Sequence, residues 1–478
     1  MPSSEPDPTL QLPPDEMRAL GYRVVDLLVD HLTALPGLPV SGGAGRGEME
    51  ARLREEPPAA GVGWEAALER ARRDVFGPMS HNDHPRFFAY VPSPGNFVGA
   101  MADALASGFN PFAGAWATAA GAAEVELVTV DWLRAICGLP EGAGGAFVSG
   151  GSMANLTALA AARHRRFGTG DFSRAVVYAS DQVHSSIARG ARVLGFAPER
   201  VRLLAPGAGL RLDPAVLERA MEEDAAAGLV PFCVVTSAGT TNTGAVDPLP
   251  EIAGLCRAAG AWLHVDGAYG AAAALTERGR ALLAGLGEAD SVSMDPHKWL
   301  FQPIECAAVL VRDAQLLRDT FRHVPEYLKD SDLSREEVNF RDWGVQLTRA
   351  FRALKLWLSI QVFGLDAFRA AVDRGITVAE VAEAELRATP GWEVITPAQL
   401  AVVTFRYRAP GLPDAEVDAL QRRIAAETTR GGFAMLSTTE LGGRAALRLC
   451  TINPRTTDED VRETVRLMAR VGRELSGG

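Results

Sequence analysis

The segment Asp295-Pro296-His297-Lys298-Trp299 sets a lysine at the end of an apolar run, with an imidazole and an indole beside it. Most lysines at strand ends are solvated surface groups. A lysine with apolar stretches on both sides is partly desolvated, which lowers its pKa and suits its amine to Schiff-base formation. A second run ends in His264-Val265-Asp266-Gly267-Ala268-Tyr269. Buried there, the Asp266 carboxylate needs a partner or it takes up a proton. It either caps the next helix or pairs with the cation of a bound heterocycle.

Three further segments follow apolar runs. Ser149-Gly150-Gly151-Ser152-Met153-Ala154-Asn155 opens a helix, where glycines and free backbone N–H groups suit a phosphate. It lacks the GxxxxGK[ST] spacing of a nucleotide P-loop. Ser180-Asp181-Gln182-Val183-His184-Ser185-Ser186 offers an imidazole, which is either a structural histidine or a plate for an aromatic ring. Ser237-Ala238-Gly239-Thr240-Thr241 adds hydroxyls. Each signal is weak alone. Together they describe a phosphate cup, a stacking ring, a carboxylate for a pyridinium nitrogen and a Schiff-base lysine, which is the set that pyridoxal phosphate requires. His81-Asn82-Asp83-His84 could hold a metal, but no further Cys or His cluster accompanies it, so no metal is expected.

These residues need a frame that brings strand ends together. Candidate strands are Ala146–Ser149, Ala175–Ser180, Val201–Leu204, Phe232–Ser237, Ala261–Asp266, Ser291–Asp295 and Ala307–Val311, with helix-sized segments between most of them. The alternation predicts an α/β fold with a mainly parallel sheet of seven strands, whose carboxyl ends form the ligand edge. Before it, Asp15–Leu32 and Trp64–Val75 have helical spacing, separated by a Pro/Gly linker over Pro36–Gly47. After it come a long helical region from Val345 to about Leu386 and a small α/β domain. That domain holds strands at Ala401–Tyr407, Ala434–Thr438 and Ala446–Thr451, and helices at Ala415–Thr429 and Asp458–Leu475. The expected division is an N-terminal helical segment over 1–85, a large cofactor-binding domain over 86–370, and the small domain over 371–478.

The 478 residues are 47% hydrophobic and 22% charged, ordinary globular material, with a net charge of −11 and no basic face for nucleic acid or anionic membrane. No run approaches the length of a membrane helix. Met1–Pro14 has neither the basic start nor the apolar stretch of a signal peptide. Five scattered cysteines, Cys137, Cys233, Cys256, Cys306 and Cys450, form no CxxC pair and fit a reducing compartment. A cytoplasmic protein is expected.

The chain resembles the group II pyridoxal-phosphate decarboxylases, and among them the aromatic-L-amino-acid decarboxylases. The resemblance runs from about His84 to Gly364 on HPRFFAY, EVELVTVDWL, SGGSMANLTALAAAR, SDQVHSS, GTTNTGAVDPL, HVDGAY, DPHKW, PEYLKD and LTRAFRALKLW. It implies the fold type I of pyridoxal-phosphate enzymes and a homodimer with the N-terminal helices at the interface. It implies that Lys298 carries the cofactor, that Asp266 binds its ring nitrogen with Ala268 packed near the ring, and that His184 stacks on it. Gly151, Ser152 and His297 would hold the phosphate, with Thr241 close by. Tyr327, in PEYLKD, would be the acid that protonates Cα, where residues alone allow a loop aromatic filling a cleft. Tyr90, Ser93, Phe112 and Thr348 fall at positions of the substrate cleft. The implied reaction converts an L-amino acid, aromatic by preference (dopa, tyrosine, tryptophan or phenylalanine), to the amine and carbon dioxide. An acidic or diamino acid substrate, or an oxidative aldehyde synthase, is the alternative.

The chain departs from the family pattern in places. Asp295 stands where many members have Asn, so Ser293 is considered for the phosphate in its place. Gly114 stands where a Phe is common, and Thr348 replaces a small residue.

Overall fold

The computed structural model describes residues 10–323, 337–409 and 411–477. Seven strands form the central sheet: β1 (Gly144–Val148), β2 (Ala175–Ser180), β3 (Val201–Leu204), β4 (Val230–Ser237), β5 (Trp262–Asp266), β6 (Ser291–Met294) and β7 (Ala307–Val311). Their order is β1-β7-β6-β5-β4-β2-β3. Only β7 runs against the others, pairing antiparallel with β1 and β6. The carboxyl ends of β1, β2, β4, β5 and β6 therefore share one edge, as the strand-end motifs require. β2 and β7 are buried at every residue, which explains their unbroken apolar sequence between covering helices.

Helix Gly151–Phe167 leaves the end of β1 and lies against β5, β6 and β7. Its buried alanines let it approach the sheet closely. Helix Trp116–Ile136 covers β1 and sends Glu126 into the core. There Arg349 makes two hydrogen bonds to Glu126, at 2.6 and 3.0 Å, and one to the Phe147 carbonyl at 2.7 Å. Both side chains are almost wholly buried, so removing either would strand a charge. The pair ties the segment before helix Ala353–Phe363 to the strand that leads into the phosphate turn.

A second, antiparallel sheet has the order β10-β11-β9-β8, from β8 (Trp392–Gln399), β9 (Val402–Tyr407), β10 (Ser437–Leu441) and β11 (Arg444–Cys450). Helices Leu365–Ala388, Asp414–Arg430 and Asp458–Ser476 pack with it around a separate apolar core. Thr457 and Asp460 close a capping box at the start of the last helix.

The expected long helix from Val345 is shorter and divided. Residues 345–352 are not helical, and Gly364 (φ 75°) separates Ala353–Phe363 from Leu365–Ala388. The Pro/Gly linker gives way to a helix, Arg46–Leu53, and the second helical stretch turns into a π-helix at Ala71–Phe76. Helix Pro14–Ala34 matches the expected N-terminal helix but has no buried residue along its 21 positions.

Candidate active site

Five strand ends enclose a cavity of about 310 Å³, lined among others by Gly151, Ser152, Asn155, His184, Thr241, Asp266, Ala268, Asp295, His297 and Lys298. Every residue expected to hold the cofactor lies on it. Of the catalytic set, Lys298, Asp266 and His184 meet there, while Tyr327 falls outside the described residues. The four expected substrate positions do not line this cavity. Tyr90 is 61% exposed. Thr348 is also exposed, and Ser93 and Phe112 are half-buried away from the lining.

The floor is built by hydrogen bonds that fix each polar group. Asp266 accepts from Asn155 Nδ2 at 2.9 Å, from the Ser293 hydroxyl at 3.1 Å and from the Ala268 backbone N–H at 3.2 Å. Ser293 thus bonds Asp266 and does not itself line the cavity. Asn155 also donates to Ser186 Oγ at 2.9 Å, so its amide oxygen is the acceptor that faces His264 Nε2 at 3.0 Å. His264 therefore donates from Nε2 and accepts the Ser291 hydroxyl at Nδ1, 2.9 Å away. Burial pushes His264 down in pKa, keeping it neutral in this chain of bonds.

The same chain reaches His184. Its Nδ1 faces the Ser186 hydroxyl at 2.8 Å and accepts the Ser186 backbone N–H at 3.2 Å. A ring nitrogen that accepts carries no proton, so neutral His184 holds its N–H at Nε2. The ring lines the cavity. Desolvation lowers its pKa, outweighing the opposing influence of Asp266. His184 is thus a neutral donor plate rather than a charged one.

Lys298 differs from the sequence expectation. Desolvation does lower its amine, but Asp295 and Asp266 raise it more, and the net direction is upward. Lys298 Nζ lies 3.0 Å from Asp295 Oδ2, and Asp295 is 3% exposed. His297 accepts the Cys306 N–H at Nδ1, so its proton sits at Nε2, 3.6 Å from the same carboxylate oxygen. The other oxygen, Oδ1, is buried without a hydrogen-bond partner.

Asn155, Ser186, His264 and the Asp295–Lys298 pair were not given roles from sequence. Two signals were available. An amide inside a run of buried alanines must be paired, and His264 shares a strand face with Asp266 two residues on.

Pyridoxal phosphate brings an anion, a protonatable ring nitrogen and an aldehyde. The cavity matches each of these. Gly151 begins the helix at the phosphate end, and a Cβ there would lie 2.9 Å from the Ala268 methyl and 3.0 Å from Asp295 Oδ2. Only glycine leaves the helix amides accessible to an anion. Asp266 supplies the carboxylate and Lys298 the amine. The cavity volume is in the usual range for small-molecule sites, and the residues fit the cofactor.

A family model described as "Pyridoxal-dependent decarboxylase conserved domain" matches residues 47–408. A Bacillus atrophaeus protein named "Aromatic-L-amino-acid decarboxylase" is 48% identical over 469 residues, covering 98% of each chain. "Tryptophan decarboxylase 1" of Oryza sativa subsp. japonica is 32% identical, covering 99% of this chain and 97% of its own. A crystal structure of Oryza sativa TDC with PLP and tryptamine superposes with a TM-score of 0.93 at 32% identity, covering 99% of this chain and all of the other. The strand-end constellation, the family model and the near full-length relatives agree, and the chain belongs to the pyridoxal-dependent decarboxylases, enzymes that remove carbon dioxide from an amino acid with pyridoxal phosphate as cofactor.

Proposed function

We propose that the substrate is an L-amino acid with an aromatic side chain, converted to its amine. The observation that carries this reading is the 48% identity, across nearly the whole chain, to a protein named for that substrate class. The site is compatible with it. Among the described residues that line the cofactor cavity the basic side chains are Lys298, His184 and His297, all placed in cofactor roles.

The bound cofactor supplies an aldehyde that condenses with amines and a protonated ring that takes up the electron pair left when the carboxylate departs. Lys298, on the cavity floor, would hold the cofactor through its amine. Asp266, itself fixed by three donors, keeps the proton on the ring nitrogen. His184 would stack on the ring with its proton at Nε2, and Ala268 would pack close to it. Gly151 and Ser152 offer helix-start amides to the phosphate, flanked by His297 and Thr241. Tyr327 returns the proton to Cα, a role that rests on the family motif. Tyr90, Ser93, Phe112 and Thr348 serve the substrate side.

We further propose a cytoplasmic homodimer and the division into 1–85, 86–370 and 371–478. The small sheet's own apolar core supports a separate C-terminal unit, while helix Leu365–Ala388 runs across the boundary and packs Val372 and Ile376 into the large core. No helix among the described residues is long and apolar enough to cross a membrane.

The test is incubation with the common L-amino acids, scoring carbon dioxide, amine, aldehyde and hydrogen peroxide. Aromatic substrates should yield amine and carbon dioxide in equal amounts. Preference for glutamate or a diamino acid would refute the aromatic reading, and aldehyde with peroxide as main products would replace it by an oxidative one.

A further inference from the structure

We propose that Asp295 is a latch on cofactor capture, holding the Lys298 amine paired at the floor of the phosphate cup until the cofactor displaces it. The inference rests on the reading of Lys298 as the carrier. It starts from the placement of a buried carboxylate, Asp295, three residues before the lysine and beside the helix start.

The geometry is specific. Asp295 Oδ2 lies 3.0 Å from Lys298 Nζ, inside hydrogen-bond range, whereas His297 Nε2 is too far at 3.6 Å to bond. The second oxygen, Oδ1, is buried without a partner. Both oxygens would stand 3.0–3.2 Å from a Cβ at Gly151, so the carboxylate lies beside the helix start that the phosphate is expected to use. The groups facing Lys298 are Asp295, Asp266 and Cys450, with His184 and His297 at the same cavity. Lys298 is therefore, among the described residues, a cation beside two carboxylates, and both favour its charged form.

Two consequences follow. Condensation of an amine with an aldehyde forms a C=N bond, breaks the C=O bond and releases one water. It requires the neutral amine, so a lysine held as ammonium must first give a proton to solvent. A buried carboxylate beside an arriving phosphate also repels it, and it draws on the helix-start field that would stabilise that phosphate. Asparagine keeps the shape and removes both effects. The latch thus slows capture and loosens phosphate, and in the absence of cofactor it keeps a buried lysine paired.

The experiment uses full-length protein stripped of cofactor. Growth of the cofactor's lysine-bound absorbance is followed after mixing with pyridoxal phosphate across a pH series, for wild type, Asp295→Asn and Asp295→Ala. Inorganic phosphate serves as a separate competing probe. In both variants capture at neutral pH should quicken by about tenfold, the scale of one opposite charge beside a buried ionisable group. Its pH dependence should move to lower pH, and phosphate should compete more strongly. Unchanged or slower capture, or weaker phosphate competition, would overturn the proposal, because the carboxylate would then be a ligand. Melting curves establish that the variants are folded. The unaltered protein gives an independent reading: its capture rate should rise with pH across the series as the ammonium form is depleted, and a rate independent of pH sinks the latch. Borohydride reduction and peptide mapping separate the two claims. Label on a lysine other than Lys298 defeats the carrier assignment, while label on Lys298 without faster capture in the variants defeats the latch alone.

Discussion

Asn155 stands one turn into a helix otherwise packed with buried alanines, and its amide makes three contacts that converge on the chemistry. It donates to Asp266 and Ser186 and accepts from His264. An unpaired group in such a place costs about 1–3 kcal/mol. In Asn155→Ala, Asp266 keeps Ser293 and the Ala268 N–H but loses its side-on donor, and Ser186 is freed from the Asn155 bond. Cofactor should be retained about tenfold less well, and the pH at which the bound cofactor's absorbance titrates should shift, while the far-ultraviolet dichroism stays native. Wild-type retention and an unshifted spectrum would mean that Asp266 needs only its other donors. The meeting of Lys298, Asp266 and His184 on one cavity was legible because a residue just after a parallel strand has its place set by topology. Asn155 and His264 were harder to see, since their bond joins positions 109 residues apart and no local spacing marks it. Asp295 was legible as a departure, but its pairing with Lys298 needed coordinates.

At the scale of elements, the six apolar strands before β7 and β7 itself were read almost to the residue, because strands buried on both faces show as unbroken apolar runs. β8 was missed. Its burial alternates irregularly, and Pro397 interrupts the sequence of a strand that pairs only with β9. Acid stability belongs to this scale too, because buried histidines stitch elements together. His84 has no exposed surface, donates to the Leu38 carbonyl and accepts the Arg86 N–H. Burial, aided by Arg86, pushes its pKa down to about 4. An unfolded histidine titrates near 6.5, so the folded state binds fewer protons in this window. The stability His84 contributes is complete above about pH 6.5 and is lost as pH falls through 4, up to about 3 kcal/mol. His264, lowered by burial, acts in the same direction. Asp247, which burial pushes up to about 6, opposes them over part of the range. The histidine share is therefore read as a difference. The melting temperature of wild type should fall more steeply between pH 6.5 and 4 than that of His84→Gln, even though the variant starts lower. Parallel slopes would show that His84 stays unprotonated in both states or charged in both.

The whole molecule presents apolar surface that a single chain leaves uncovered. Helix Pro14–Ala34 buries none of its residues, and Met17, Tyr22 and Val29 are 44%, 70% and 45% exposed. Phe109, Ile304 and Val345 are exposed at 84%, 66% and 65%, and Tyr90 at 61%. The expected substrate residues Tyr90 and Thr348 belong to this open surface rather than to the cavity, which is the arrangement a second copy would complete. We propose that an identical chain covers these exposed apolar residues. Solution mass should be about twice the 50.8 kDa of one chain. The sharper measurement exploits exposure. Met17 and Val29 are nearly half exposed in one chain, so Met17→Asp and Val29→Asp place a charge where a partner would bury it, and melting curves check that the single chain stays folded. Both together should shift the mass toward the monomer at low micromolar concentration and make turnover depend on protein concentration, with dilution restoring nothing. The effect on the dimer should reach several kcal/mol, because a carboxylate buried at an interface without a partner is costly. A double variant with wild-type mass and turnover would show that the helix faces solvent, and a fully active wild-type monomer would remove the second chain from the site altogether.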